Sequence, residues 1–444
     1  MSSTLPSTPP DAAGARPVES SERVVLIDVL RGFALCGVFV SNAYMHLSGR
    51  ILLPRASAEA LTSSGVDEVA HFLYNHLLQE KAMSIFTFLF GLGFAIQLGR
   101  AEQRGASGPS VFARRQGWLM LFGLTHLFAL WYGDVLTLYA VTGLALLLFR
   151  KRGDRTLLVC GLVFTFSGPL LAPLQNLVRQ SLTSPEVAQA AAREAMEQAS
   201  AIKTRTLAGF ESGSYLTTAR ANADFFLHVF FKPLKMLGFA LVVLGRFLLG
   251  LLAGRLLLFH DVERHRPLFR RLLGGGLAVA VLGNGVWLLC KSLTHTGAFP
   301  EQVWQVIQGS VWEVGVMGLA AFYVSGLSLL SLRARAWRWL LVLAPAGQMA
   351  LTNYLSQTVI SQMVFYGYGF HLIGKIHPAA CLVLMFGLFW VQVLVSHLWL
   401  ARFRFGPAEW VWRSLTYGKL QPLRRVPGSG GKGRVSAARV LARK

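Results

Sequence analysis

The chain has 444 residues, of which 53% are hydrophobic and only 14% are charged. Soluble globular proteins carry about 25% charged residues, so this composition excludes a soluble globular protein and predicts a polytopic membrane protein. The formal net charge is +22, but the basic residues fall mostly in short loops and in the C-terminal tail, a pattern typical of membrane topology, and we expect no nucleic-acid partner.

The chain begins with a polar lead and a first apolar segment. Residues 1–23 are rich in Ser, Pro and Ala and lack an apolar signal-peptide core, which predicts a disordered cytoplasmic lead. The first span, about Val24 to Tyr44, carries Asp28 and Arg31 near its start. Because they are three residues apart, these side chains lie on one helix face, where they either pair with each other or hold a polar headgroup.

The transmembrane domain, residues 24–400, contains ten predicted spans with both termini in the cytoplasm. Every second connection is basic, and this alternation satisfies the preference of cytoplasmic loops for Lys and Arg. Residues 45–80 and 175–232 are the long outer loops, and each contains a predicted helix, Val66–Leu78 in the first and Pro185–Lys203 in the second. The predicted fold is therefore an all-α membrane helix bundle.

Two spans form a hairpin that contains one histidine and one aspartate. His126 lies inside the third span, Gly117–Tyr132, and Asp134 lies in the turn before the fourth span, Val135–Leu148. They are eight residues apart, so a helix that continued through the turn would place them on nearly one face. A histidine oriented by a carboxylate predicts a catalytic acid/base pair. The alternative is a buried histidine that is hydrogen-bonded to a neighbouring helix.

Other polar side chains at membrane depth are candidates for a binding site, because such residues usually face a bundle interior or a wet cavity. Arg246, near the middle of the sixth span, requires an anionic partner, either an acidic side chain or a bound phosphate or carboxylate. The acidic candidates are Asp28, Asp134 and Glu313. Asn353 and Gln357 are one turn apart on the ninth span, where they either line a cavity or hold helices together.

The predicted substrate-binding residues are Asp28, Arg31, Asn42, Lys81, Tyr139, Arg246, Asn353 and Gln357. We expect Lys81, Asn353 and Gln357 to share one polar cavity with the histidine and aspartate of the hairpin, because an isolated polar group in hydrocarbon costs several kcal/mol. We expect Tyr139 to add a hydroxyl to the same space as Asp134.

Glycines in two spans predict close contacts between helices. They are Gly91 of the second span, and Gly250 and Gly254 of the sixth. Residues 401–425 are predicted to form a membrane-proximal cytoplasmic segment, and residues 426–444 a flexible basic tail. The four cysteines lie in apolar runs without zinc or disulfide spacing, so we predict no metal site.

Five segments resemble a known family. They are DVLRGFALCGVFVSNA, KAMSIFTFLFGLGFAIQL, GLTHLFALWYGDVLTLYA, GQMALTNYLSQ and RFRFGPAEWVWRSLTYGK. In this order they are similar to the YeiB family of bacterial inner-membrane proteins, a domain of unknown function, over about Leu26 to Arg425. The resemblance implies a multi-pass protein of the bacterial inner membrane.

The first spans of that family are similar to those of transmembrane acyltransferases such as heparan-alpha-glucosaminide N-acetyltransferase. Those enzymes transfer an acyl group from a cytoplasmic thioester to a sugar on the far side of the membrane. Asp28, Arg31 and Asn42 belong to the shared pattern, whereas the outer-loop histidine of those enzymes has no matching motif here, and His71 and His76 only lie in the same region. The resemblance implies an acyl thioester such as acyl-CoA as co-substrate and no resident cofactor.

Two functions account for these residues. In a membrane acyltransferase, a histidine base deprotonates a hydroxyl or amine of an envelope glycan, lipid or small molecule, and Arg31 or Arg246 holds the donor's phosphates or the developing oxyanion. In a proton-linked permease or exporter, the same residues form a substrate site near the midplane. A purely structural membrane protein does not explain the buried charges, and the sequence leaves the oligomeric state open. There is no phosphate-binding glycine loop, which excludes a built-in ATPase.

Overall fold

The computed structural model describes residues 24–103, 108–294, 299 and 301–425. These residues form eighteen α-helices joined by short turns. The predicted lead, residues 1–23, and the predicted tail, residues 426–444, lie outside the described residues.

The helices follow one another closely along the chain. Those of the first half are α1 Val25–Asn42, α2 Arg55–Ala60, α3 Gly65–Leu73, α4 Lys81–Gln103, α5 Gly108–Thr125, α6 Leu136–Leu146, α7 Asp154–Ser167, α8 Leu171–Ser181 and α9 Pro185–Glu211. Those of the second half are α10 Tyr215–Phe225, α11 Pro233–Arg255, α12 Arg266–Leu293, α13 Glu301–Ser331, α14 Ala334–Leu340, α15 Ala344–Gln348, α16 Ala350–Phe365, α17 Pro378–Arg402 and α18 Pro407–Tyr417. Single π-helical turns extend α1, α3, α5 and α10 at their C-terminal ends.

Seven helical segments of the described chain are long and apolar enough to cross a membrane. They are Val25–Leu52, Gly65–Arg100, Asp154–Arg179, Pro233–Arg255, Arg266–Leu293, Val303–Ser331 and Pro378–Arg402. They match seven of the ten predicted spans and confirm an all-α, multi-pass membrane protein. The other three predicted spans correspond to α5, to the short apolar segment Leu136–Phe149 and to the broken helix α14–α16. The cytoplasmic placement of both termini stays a prediction.

Helix α1 lies at the centre of the bundle and packs against α4, α13, α15, α16 and α17. The predicted close contacts of the glycines are confirmed where α4 meets α11. A side chain at Gly91 would collide with the backbone of Phe247, and one at Gly250 would collide with the backbone of Phe88. Glycine therefore allows the two backbones to touch, and α4 and α11 form one wall of the bundle.

The two segments that are predicted to be outer loops are folded into helices. The predicted helix Val66–Leu78 is present as α3 with its π-helical turn, and the predicted helix Pro185–Lys203 is present as the longer α9. The Asn222 side chain of α10 donates to the carbonyl of Leu127 at 2.8 Å and accepts from the N–H of Tyr132 at 2.6 Å. The second of these segments therefore covers the turn between α5 and α6.

Candidate functional site

His126 is held between the hairpin turn and α16. Its Nδ1 lies 2.9 Å from Oδ1 of Asp134, and its Nε2 lies 2.9 Å from Oγ1 of Thr358. Asp134 also accepts from the backbone N–H groups of Leu136 at 3.2 Å and Thr137 at 2.7 Å. The imidazole and the carboxylate are both buried. A carboxylate can only accept, so Nδ1 donates to Asp134, and in a neutral imidazole Nε2 is then the acceptor.

The histidine and aspartate meet by a different route from the predicted one. A helix that continued through the turn would have placed both side chains on one face. Instead, α5 ends in a π-helical turn at His126–Leu130, the chain reverses, and α6 begins at Leu136. Asp134 accepts from the first N–H groups of α6 and folds back onto His126. The chain reversal, and not helical periodicity, forms the pair.

A cavity of about 250 Å³ lies next to this hairpin, between α1, α4, α5, α6, α16 and α18. Along α1, its lining extends from Ile27 to Val38, which is about 16 Å of helix. Much of the wall is apolar and aromatic. The residues that form this part of the wall include Met83, Phe86, Phe90, Phe94, Leu119 and Tyr354.

Four arginine side chains line the same cavity, and they come from four different helices. They are Arg31 of α1, Arg100 of α4, Arg115 of α5 and Arg413 of α18. Arg115 donates to Oε1 of Gln97 at 3.1 Å, and its guanidinium lies 4.0 Å from the centre of the Trp412 ring. Arg115 also lies close enough to Arg413 and Arg31 for their charges to interact. Positive charge is therefore concentrated at one end of the bundle, where α1 and α5 begin and α4 ends.

The two carboxylates in the described lining are engaged by the protein. Asp28 lies 3.3 Å from Nη1 of Arg31, which is the pairing that their spacing allowed. Oε1 of Glu409 accepts from the N–H groups of Leu351 at 2.6 Å and Thr352 at 3.1 Å, which caps the first turn of α16. Burial raises the pKa of Glu409. The described lining thus holds four guanidinium groups and two carboxylates, and guanidinium groups suit an anionic ligand.

Tyr139 and Asn42 lie in different parts of the bundle. The hydroxyl of Tyr139 is 2.5 Å from Oγ1 of Thr87, and its ring packs edge-to-face with Phe90 in the cavity wall. Tyr139 thus faces the cavity from α6. Asn42 is the last residue of α1, about 21 Å along the helix from Asp28, and it is not among the described residues that line the cavity.

Lys81 and Arg246 belong to a second polar cluster, so the expected convergence is wrong for Lys81. Nζ of Lys81 donates to the carbonyl of Asn75 at 2.8 Å and lies 3.9 Å from the centre of the Trp312 ring. Nη2 of Arg246 donates to Oε1 of Glu313 at 2.5 Å, and both side chains are buried. Lys81 is distant from the arginine-lined end because it opens α4, about 28 Å along that helix from Arg100.

Asn353 and Gln357 hold α16 to α17, so they do not share the space of His126 as we expected. Nδ2 of Asn353 donates to Oγ of Ser396 at 3.0 Å, and Nε2 of Gln357 donates to Oε1 of Gln392 at 2.9 Å. All four side chains are buried. These two residues therefore hold helices together, which was the alternative to lining a cavity. Thr358 lies on another face of α16 and contacts His126.

The sequence did not single out the aromatic wall between the cavity and the histidine. Tyr354 lines the cavity, and its ring centre lies 5.2 Å from that of His126. Its buried hydroxyl faces the backbone of Val135 without a hydrogen bond of good geometry. The available signal was the spacing of Tyr354 and Thr358, which are four residues apart on the ninth span and therefore share one helix face. Arg115 and Arg413 also escaped notice, because we interpreted both as topology signals.

The described chain is thus a multi-pass helical membrane protein in which a buried histidine–aspartate pair adjoins a cavity lined by arginines. Among the residues that the structure describes, no group of three His, Cys, Asp or Glu side chains could hold a metal ion.

The chain belongs to the YeiB-like DUF418 family. A family model described as "Protein of unknown function (DUF418)" matches residues 253–419. The chain is 33% identical to the uncharacterized protein YxaH of Bacillus subtilis (strain 168), over 92% of this chain and 98% of that protein. It is 26% identical to the uncharacterized protein YeiB of Escherichia coli (strain K12), over 89% of this chain and 96% of that protein. No solved structure matches the chain.

Proposed function

We propose that this protein is an acyltransferase of the bacterial inner membrane. It takes an acyl group from a thioester such as acyl-CoA and transfers it to a hydroxyl or amine of an envelope glycan, lipid or small molecule. The observation that carries this proposal is the cavity, which combines four arginines with an apolar, aromatic wall. An acyl thioester of coenzyme A matches this combination, because its phosphates are anionic and its acyl chain is apolar. Guanidinium groups bind phosphates well because they donate in a planar, bidentate arrangement.

The chemistry of the proposed reaction belongs to the histidine beside the cavity. His126 acts as the general base, since its Nε2 is the acceptor of the neutral ring, and Asp134 orients the ring and stabilises the imidazolium that forms. Of the two arginines that the sequence offered for the donor, Arg31 lines the cavity, whereas Arg246 is bonded to Glu313. We therefore assign Arg31 to the donor, together with Arg115 and Arg413.

A permease is the second candidate, and the broken helix α15–α16 favours it. The helix is interrupted at Met349, where φ is −105° and ψ is 33°, and the cavity is lined by Gly347, Gln348 and Ala350 around this break. Interrupted helices frame the substrate sites of many transporters. In this alternative, the cavity holds an anionic solute and His126 carries the coupled proton.

Transfer of a labelled acyl group tests the proposal. Membranes that contain the protein are incubated with radiolabelled acetyl-CoA or octanoyl-CoA and an envelope extract. We expect transfer by the wild type and a rate about 100-fold to 10,000-fold lower for His126→Ala, since the substitution removes the general base. The matched control is His228→Ala, which removes the histidine of an exposed histidine–aspartate pair and should leave the rate unchanged. If no acceptor is labelled and vesicles instead accumulate a solute with a pH gradient, the permease replaces the acyltransferase.

A further inference from the structure

We propose that Thr358 is the nucleophile of this acyltransferase and carries the acyl group as an ester between two half-reactions. The inference rests on the proposed function and deepens it at the same site. Asp134, His126 and Thr358 form a continuous carboxylate–imidazole–hydroxyl array with two hydrogen bonds of 2.9 Å. An activated hydroxyl requires a base within about 2.6–3.2 Å and a third group that orients the base. The array meets both requirements.

The direction of the Thr358 hydroxyl sets this residue apart from other threonines in the bundle. A helical threonine commonly bonds to the carbonyl four residues earlier. Four buried threonines of the described chain do so, and they are Thr87, Thr142, Thr206 and Thr416. Thr358 is also buried in the middle of a helix, yet its hydroxyl meets Nε2 of His126. When the ring is neutral and Nδ1 donates to Asp134, Nε2 is the acceptor, and the hydroxyl proton then points at the base.

Thr358 lies beside the donor cavity, although it is not among the described residues that line it. Tyr354 lines the cavity and lies one helical turn before Thr358, so the two side chains are neighbours on one face of α16. The Tyr354 ring is also in contact with the His126 ring, with 5.2 Å between their centres. Thr358 therefore lies behind the wall that Tyr354 forms, and the Tyr354 ring must turn aside to admit the thioester.

The proposed first half-reaction is balanced without a further reactant. The proton of the Thr358 hydroxyl passes to Nε2 of His126 while Oγ1 attacks the carbonyl carbon of the thioester. The carbon–oxygen bond forms and the carbon–sulfur bond breaks. The leaving thiolate takes the proton from the imidazolium and departs as the free thiol. In the second half-reaction, His126 removes a proton from the acceptor hydroxyl or amine while the acceptor attacks the ester carbonyl carbon. The bond from that carbon to Oγ1 breaks, and the imidazolium returns the proton to Oγ1 of Thr358.

Detection of the ester tests this assignment. Purified full-length protein in lipid nanodiscs is mixed with radiolabelled octanoyl-CoA in the absence of acceptor and is quenched in acid at times shorter than one turnover. We expect a covalent label that resists neutral hydroxylamine, as an oxygen ester does, and that peptide mass spectrometry places on Thr358. Thr358→Val should carry at least tenfold less label and Thr358→Ser should retain it. The matched control is Ser361→Ala, a buried hydroxyl of the same helix, which should be labelled like the wild type.

The outcomes separate this inference from the function on which it rests. If the wild type transfers the acyl group to an acceptor but forms no ester on Thr358 at any quench time, Thr358 is not the nucleophile. The proposal that the protein is an acyltransferase then still holds. The missing ester is decisive even if Thr358→Val is inactive or unfolded. Loss of activity in that variant would not be decisive, because a threonine that only positions His126 would cause the same loss. If the wild type transfers no acyl group to any acceptor and forms no ester, both proposals fail.

Discussion

Arg246 and Glu313 form a buried ion pair between α11 and α13, and the two residues are 67 positions apart in sequence. Removing one partner of such a pair leaves an uncompensated charge in a low-dielectric environment, which is costly. Replacing both partners with apolar groups removes the charge and the cost together. The pair therefore allows a test of stability that is independent of the proposed chemistry.

We expect Glu313→Gln to lower the free energy of unfolding by about 3–5 kcal/mol, and the double substitution Arg246→Met with Glu313→Leu to recover most of that loss. Denaturant unfolding of the purified protein in detergent measures both. The control is Glu263→Gln, which breaks an exposed pair with Arg266 and should change stability by less than about 1 kcal/mol. If Glu313→Gln and Glu263→Gln lower the free energy of unfolding equally, the buried pair contributes no more to stability than the exposed pair.

Individual residues differ in how far the sequence alone identified them. His126 and Asp134 stood out because ionisable side chains are rare inside apolar spans. Thr358 did not, because a threonine in a membrane helix is ordinary and its contact with His126 spans 232 positions. For Arg246, the sequence predicted only an anionic partner, either one of three acidic side chains or a bound phosphate or carboxylate, because choosing Glu313 requires knowledge of how α11 and α13 pack.

At the scale of helices, apolar length predicted most of the elements, and seven predicted spans are present as long apolar helices. Their ends were harder to predict because they depend on local geometry. A π-helical turn at His126–Leu130 ends α5 before the predicted turn at Asp134, and no residue pattern in the hairpin indicated this early end of the helix. The break between α15 and α16 also depends on tertiary contact, because Glu409 of α18 caps the interrupted helix from 58 positions away.

The arrangement of the whole molecule in the membrane determines which side the donor enters. The arginine-lined end of the cavity is cytoplasmic only if the basic connections are cytoplasmic. Reporter fusions at Gly108, at the start of α5, and at Ser200, within α9, test this topology. We expect a cytoplasmic reporter to be active at Gly108 and a periplasmic reporter to be active at Ser200. Two fusions that report the same side would contradict the predicted order of spans.

The central claim is that the cavity binds an acyl thioester through its arginines, and equilibrium binding of octanoyl-CoA to the purified protein in nanodiscs measures this directly. The test variant is Arg115→Gln with Arg413→Gln in the cavity lining. The control is Arg335→Gln with Arg338→Gln, which removes the same charge from exposed positions.

The wild type and the control should bind equally, and the cavity variant should show a Kd at least about tenfold higher, because two charge-assisted contacts to phosphate are lost. If the wild type does not bind octanoyl-CoA, or if both double variants bind it as tightly as the wild type, the cavity is not the donor site.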